Sequence, residues 1–204
     1  MAKNNFYAVK NGRNPGIHKT WDECQKNTSG FSGAVFKGFP TLEEAKAYME
    51  FEDSGKWDGA LDLPDVYAFT DGSFNATTGV YGFGGFLHYS QVEPDIEIMG
   101  NGCDPDEATS RNVAGEVHGA VAAIEKAVEL GLSELTIYYD YEGVAKWPTG
   151  LWKANKKISQ FYVEKYSALK DKIHVKFVHV NAHTGIPGNE AADAMAKEEV
   201  GLSK

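Results

Sequence analysis

The sequence predicts an α/β protein: a mixed sheet with helices packed on its faces, preceded by a smaller α/β module. Three observations lead there. Residues 66–70 and 135–139, Val-Tyr-Ala-Phe-Thr and Leu-Thr-Ile-Tyr-Tyr, are short apolar runs rich in strand formers, and each ends in an aspartate, Asp71 and Asp140. Beyond residue 65, early strands give way to strand–helix alternation, the pattern of a sheet covered by helices. Residues 52–64 mix Gly, Ser, Pro and acids without periodicity and read as a linker. The expected organisation is a first module over 1–51, a linker over 52–64 and a main domain over 65–204.

The first module reads as strand, strand, helix, strand, helix. Phe6-Tyr7-Ala8-Val9 is β-prone, and Gly12-Arg13-Asn14-Pro15-Gly16 is a turn. Thr20 with Glu23, and Thr41 with Glu44, fit capping boxes in which each side chain satisfies a free N–H of the other residue. Between them, residues 34–39 read as a strand. In the main domain, Gly79 to Tyr89 and Ile96 to Met99 are expected as strands two and three. The Gly-rich run 81–85 signals close backbone approach or a bulge. A helix is expected from Val113 to Leu130 and stops at Gly131. A second helix near 156–170 leads to a strand over 173–180, and Pro187-Gly188-Asn189 opens a last helix with Asn189 as its expected N-cap.

Composition excludes several classes. No apolar run approaches the roughly 20 residues that span a bilayer, and the first residues lack the apolar stretch of a signal peptide. Cys24 and Cys103 lie far apart without zinc-ligand spacing, and read as reduced thiols. The expectation is a cytoplasmic protein with no membrane contact and no obligate protein partner. The formal net charge of −9 argues at first against a polyanionic partner. The charge is unevenly spread, however. Residues 1–50 carry seven Lys/Arg against five Asp/Glu, leaving 13 against 24 in the rest, so a mildly basic head precedes an acidic body.

Within that body four carboxylates stand at suggestive places. Asp71 and Asp140 follow strands, at the rim where open α/β sheets place ligands. Glu116 and Asp193 fall four residues after Asn112 and Asn189, in the first turns of expected helices. Convergent acids repel one another and would bind protons unless divalent cations intervene. Oxygen-only ligands suit Mg²⁺, with Mn²⁺ able to substitute, and not zinc. Two such ions about 4 Å apart serve in-line phosphoryl displacement. A lone acid after a strand is more often a turn former, and one in a helix's first turn a dipole partner. Glu107, Glu125, Glu129, Glu134, Glu142, Glu198 and Glu199 are read as solvated or helix-end acids.

The local wording adds a resemblance. Thr70-Asp71-Gly72-Ser73, Gly115-Glu116-Val117-His118-Gly119-Ala120, Tyr139-Asp140-Tyr141 and His183 followed by Asn189-Glu190-Ala191-Ala192-Asp193 resemble type 1 ribonuclease H, in that family's order, over about residues 64–200. The resemblance implies a five-stranded mixed sheet flanked by helices, and an endonuclease that hydrolyses the RNA strand of RNA–DNA hybrids. It implies two Mg²⁺ ions held by Asp71, Glu116, Asp140 and Asp193, and products ending in 5′-phosphate and 3′-hydroxyl. His183 matches a mobile-loop histidine implied to move protons or release product. Asn112 matches a residue implied to read the minor groove, where RNA shows its 2′-hydroxyls; helix capping is its structural alternative.

The head resembles the N-terminal hybrid-binding domain of cellular ribonucleases H, through Tyr7-Ala8-Val9-Lys10-Asn11-Gly12-Arg13, Thr20-Trp21-Asp22-Glu23-Cys24 and Phe36-Lys37-Gly38-Phe39. By that resemblance Tyr7, Trp21 and Phe36 form an aromatic surface for the DNA strand, with Lys37 nearby; the alternative is that the aromatics fill a small core. Gly38 replaces a second lysine of many relatives. The stretch 147–157, which matches a basic protrusion of some bacterial relatives, is shortened but keeps Lys153, Lys156 and Lys157.

Overall fold

The computed structural model describes residues 4–50, 63–181 and 185–202. The chain divides into two compact units, one built on residues 1–52 with 149–152 and the other on 53–148 with 153–204. Most of the expected linker lies outside the described residues.

In the first unit, β1 (Phe6–Asn11), β2 (Gly16–His18) and β3 (Val35–Phe39) form a three-stranded antiparallel sheet in the order β2-β1-β3. Helices α1 (Trp21–Thr28) and α2 (Leu42–Glu50) complete it. Both expected capping boxes are present: Glu23 N–H donates to Thr20 Oγ1 at 3.3 Å and Glu44 N–H to Thr41 Oγ1 at 3.2 Å. The core is small, with Ala8 and Phe39 of the sheet meeting Ala45 and Tyr48 of α2.

The second unit holds a mixed sheet in the order β6-β5-β4-β8-β9, its strands being β4 (Tyr67–Asn75), β5 (Val80–His88), β6 (Ile96–Glu97), β7 (Gly100–Gly102), β8 (Glu134–Tyr139) and β9 (His174–His179). β5 runs antiparallel to β4, whereas β4, β8 and β9 are mutually parallel. The five expected strand positions are there, but the third is split. β6 and β7 pair separately with β5, at Phe86–Leu87 and at Tyr81–Phe83, so the ladder is broken around Ile98–Met99.

Helices follow the strands as expected, with adjusted ends. α4 spans Asn112–Glu129, α6 Lys157–Leu169 and α7 Pro187–Glu199; short α3 (Pro105–Ala108) and α5 (Gly143–Lys146) were not foreseen. α4 buries Ala114, Val117, Ala120, Val121, Ala123, Ile124 and Ala127, one apolar face of a 3.6-residue repeat. It lies over β4 and β5 with α6 beside it. On the opposite sheet face Phe69, Tyr138, Val180, Ile186 and Ala192 pack together under α7.

Two helix starts depart from expectation. Asn189 does not cap α7: the cap position is Ile186 and Pro187 opens the helix, its fixed φ suited to the first turn, so Asn189 is buried as the third helical residue. Asn112 does not cap α4 either. It is the first helical residue, and Arg111 holds the cap position at φ 54° without a side-chain cap bond. For a non-glycine residue that conformation is costly, on the order of 1–3 kcal/mol.

The glycines of the sheet explain how closely the helices seat. A Cβ on Gly72 would lie 2.2 Å from Asn112 O and 2.4 Å from Glu116 N, and one on Gly115 would lie 2.0 Å from Gly82 O. All of these neighbours are backbone, which cannot rotate aside. Gly72→Ala is therefore expected to lower unfolding stability by about 1–3 kcal/mol, the usual range for overpacking. Urea denaturation checks this; an unchanged midpoint would show that α4 rides loosely on β4.

Candidate active site

The parallel register of β4 and β8 pairs Phe69 with Tyr138, whose rings stack at 4.6 Å with 12° between their planes. Side chains two residues further along a strand return to the same face. Asp71 and Asp140 therefore stand side by side just beyond that stacked pair. Asp71 is not at a strand end, as expected, but in the middle of β4, because β4 continues to Asn75 against β5 after its pairing with β8 has stopped. The close contact at Gly72 sets the first turns of α4 against the same point, and Glu116 joins the two aspartates. Asp71, Glu116 and Asp140 each place a carboxylate oxygen within 4.8 Å of the others.

The three acids are costly to hold together. Burial, reinforced by the charge of Asp140, pushes Asp71 up to about 6, against the bond it accepts from Gly72 N–H at 2.6 Å. Glu116 is 2% exposed, and burial, then Asp71 and Asp140, push its carboxyl well above the ordinary range. Its Oε2 is buried with no hydrogen-bond partner among the described residues. An orphaned carboxylate oxygen beside two further acids fits a hard divalent cation: oxygen ligands alone, with charge to be neutralised.

Asp193 faces this site from the second turn of α7 and adds to the field that raises Asp71. Its own carboxylate is taken up by Lys197, one turn on, at 2.6 Å. Beside the acids lies an open groove of about 420 Å³, lined among others by Gly72, Ser73, Arg111, Asn112, Asp193 and Lys197. Asn112 is exposed there, free of the capping role that was its alternative. His183 lies outside the described residues.

Glu107, read as a solvated or helix-end acid, does fall in the first turn of the short helix α3 but is not solvated. It is 8% exposed and accepts from Tyr81 Oη at 2.6 Å and from His118 Nε2 at 2.9 Å, while His118 stacks on Tyr81. Asp104 caps α3 by accepting from the N–H groups of Asp106 and Glu107 at 3.0 and 3.1 Å. The segment that delivers Arg111 and Asn112 to the groove is thus tied to β5 and α4 by buried polar contacts. Sequence reasoning missed Lys197 and Arg111. For Lys197 a signal existed, the four-residue spacing from Asp193; for Arg111 none did, since its importance lies in a backbone angle.

In the first unit Tyr7, Trp21 and Phe36 come together, with Tyr7–Trp21 centroids at 5.6 Å and Trp21–Phe36 at 6.0 Å. Trp21 is 46% and Phe36 40% exposed, so they form a surface and do not fill the core. As the next residue of β3 after Phe36, Lys37 starts from the opposite sheet face, and its Nζ lies 5.6 Å from the Phe39 ring centre.

Known proteins place these features. The family model for the ribonuclease H1 N-terminal domain matches residues 5–49, and that for RNase H matches residues 64–201. Human ribonuclease H1 is 24% identical over 259 aligned positions, covering 95% of this chain and 88% of that protein. The ribonuclease H of Crithidia fasciculata is 47% identical over 68 positions, a match covering 30% of this chain but only 14% of that protein. Among solved structures, the RNase H1 of the halophilic archaeon Halobacterium salinarum NRC-1 superposes with a TM-score of 0.54 at 25% identity, over 67% of this chain and 97% of that one. A family model spanning more than half of its length, over a fold with the matching mixed sheet, shows that the chain belongs to the ribonuclease H family and is a ribonuclease H enzyme with a ribonuclease H1-type N-terminal domain.

Proposed function

We propose that the chain is an endoribonuclease that hydrolyses the RNA strand of RNA–DNA hybrids, leaving 5′-phosphate and 3′-hydroxyl ends, with Asp71, Glu116, Asp140 and Asp193 holding two Mg²⁺ ions. The observation that carries the reading is the meeting of Asp71, Glu116 and Asp140 within 4.8 Å, two of them buried. Such ions, when bound, supply an activated water and neutralise charge at the leaving oxygen of an in-line displacement. The protein's own contribution is to fix the acids on rigid elements before substrate arrives: a central strand, the first turns of a long helix and a strand end. Asn112, exposed beside the acids, is suited to reading the shallow minor groove, where 2′-hydroxyls separate RNA from DNA. In the proposal His183 moves a proton or assists product release. Tyr7, Trp21 and Phe36 stack on sugars or bases of the DNA strand, giving the acidic body a recruiting surface that does not depend on its own charge.

Cleavage of end-labelled hybrid, double-stranded RNA and double-stranded DNA tests the reading directly, with Mg²⁺, Mn²⁺ or EDTA present. Hybrid-only, metal-dependent cutting is expected, and Asp71→Asn should reduce its rate by about 10²–10³-fold, as several kcal/mol of charge stabilisation is lost. Binding without cutting would leave a hybrid-binding protein instead. Trp21→Ala should weaken hybrid binding by about 1–3 kcal/mol while circular dichroism stays unchanged; undiminished affinity would remove the aromatic surface from the mechanism.

The raised carboxyls also set how metal-free stability depends on pH. Asp71 titrates near 6 in the folded chain and near 3.8 when unfolded, so the folded state holds the extra proton between those values. Stability accordingly falls as pH rises through that window, and Glu116 extends the loss to higher pH. Asp71→Asn should stabilise the metal-free protein at pH 7.5 by about 2–3 kcal/mol, seen as a higher melting temperature, and change it little at pH 4. Thermal melts in EDTA at both values check the sign; a variant that melts lower at pH 7.5 would contradict it.

A further inference from the structure

Asp193 and Lys197 stand one turn apart on the same face of α7, and the ammonium nitrogen sits 2.6 Å from Asp193 Oδ2. The side chains are 18% and 44% exposed, so the carboxylate is largely removed from water and the cation stays reachable. Both line the groove beside the other acids. The pair with Asp193, assisted by the field of Asp71, holds the Lys197 ammonium above its usual range. The contrast with Glu116 is direct: its Oε2 is buried without a partner among the described residues, while Asp193 already has a cation.

We infer that Lys197 is a built-in competitor for the divalent cation at Asp193: its ammonium group offsets the charge of that carboxylate through Oδ2 in the metal-free protein, and a cation drawn to Asp193 competes with it. The inference rests on the metal-site reading above. Among the described residues Glu116 Oε2 has no hydrogen-bond partner, whereas a divalent ion that used Asp193 would have to compete with a lysine. Divalent uptake at Asp193 is then weaker than it would be on a bare aspartate, and Lys197 sets by how much.

Calorimetric titration of the EDTA-stripped full chain with Mn²⁺ alone, without nucleic acid, tests this. Wild type, Lys197→Gln, Asp193→Asn and the double variant form a cycle. Lys197→Gln should tighten the weaker Mn²⁺ site about two- to fivefold, the range of a partly exposed ion pair, and should enlarge the Mn²⁺-induced rise in melting temperature. In the Asp193→Asn background the same substitution should change nothing. Unchanged affinity in Lys197→Gln overturns the inference, as does equal tightening in both backgrounds, which would mark a general field effect. The underlying reading is judged separately: if wild type takes up Mn²⁺ and Asp71→Asn weakens it, the metal site stands whatever Lys197 does, and if wild type takes up none, both fall.

Discussion

Between Gly72 on β4 and the first turns of α4 there is room for backbone and nothing more. Asn112 O and Glu116 N occupy the space that a methyl group at Gly72 would need, and Gly115 meets the carbonyl of Gly82 just as closely. This approach brings a helix-borne glutamate to an aspartate in the middle of a strand. Any side chain between the two elements would lift Glu116 off the sheet and open the group of acids. Close packing of this kind is cheap in glycine but unforgiving, because protein interiors have no spare volume to absorb a shift. The remainder of the site follows from it: the register of β8 brings Asp140 alongside, and the groove begins where α4 begins.

The electrostatic consequence is a site held together against its own charge. Hydrophobic packing does the holding. Phe69 and Tyr138 stack beneath the aspartates, and Val117, Ala120 and Ile124 anchor α4. Removing Asp71 and Glu116 from water while crowding them raises their proton affinity, as burial and like charge both require. The same arrangement that costs stability in the metal-free chain creates affinity for cations, so the two are one property seen under different conditions.

Much of this was readable from the residues. The apolar runs ending in Asp71 and Asp140 marked the central strands, the Thr-x-x-Glu pairs located two helix starts, and the order of the acidic motifs carried the family resemblance. What failed was local. Asp71 was expected at a strand end because the apolar pattern stops there; antiparallel pairing with β5, which tolerates polar residues, carries the strand on to Asn75. Asn189 looked like a cap because Asn usually is one, but Pro187 had already started the helix. Glu107 does sit in the first turn of a helix, one of its two readings, but its burial was not legible, since only the fold brings Tyr81 and His118 to it from 26 and 11 residues away in sequence. The misses at Asp71 and Glu107 share a cause: each depends on a partner that is distant in sequence.

The split third strand has a consequence of another kind. A sheet edge is a template on which a second chain can add a strand, and proteins rich in β-structure must blunt it. Here one edge is made of two fragments, β6 and β7, of two and three residues, interrupted at Ile98–Met99. The other edge, β9, presents exposed His174 and Lys176, the latter tied to Glu134. Neither rim offers the long, flat, uncharged run that intermolecular strand pairing needs. A protein with an exposed aromatic face in one unit and a crowded group of acids in the other has particular reason to keep its sheet closed to copies of itself.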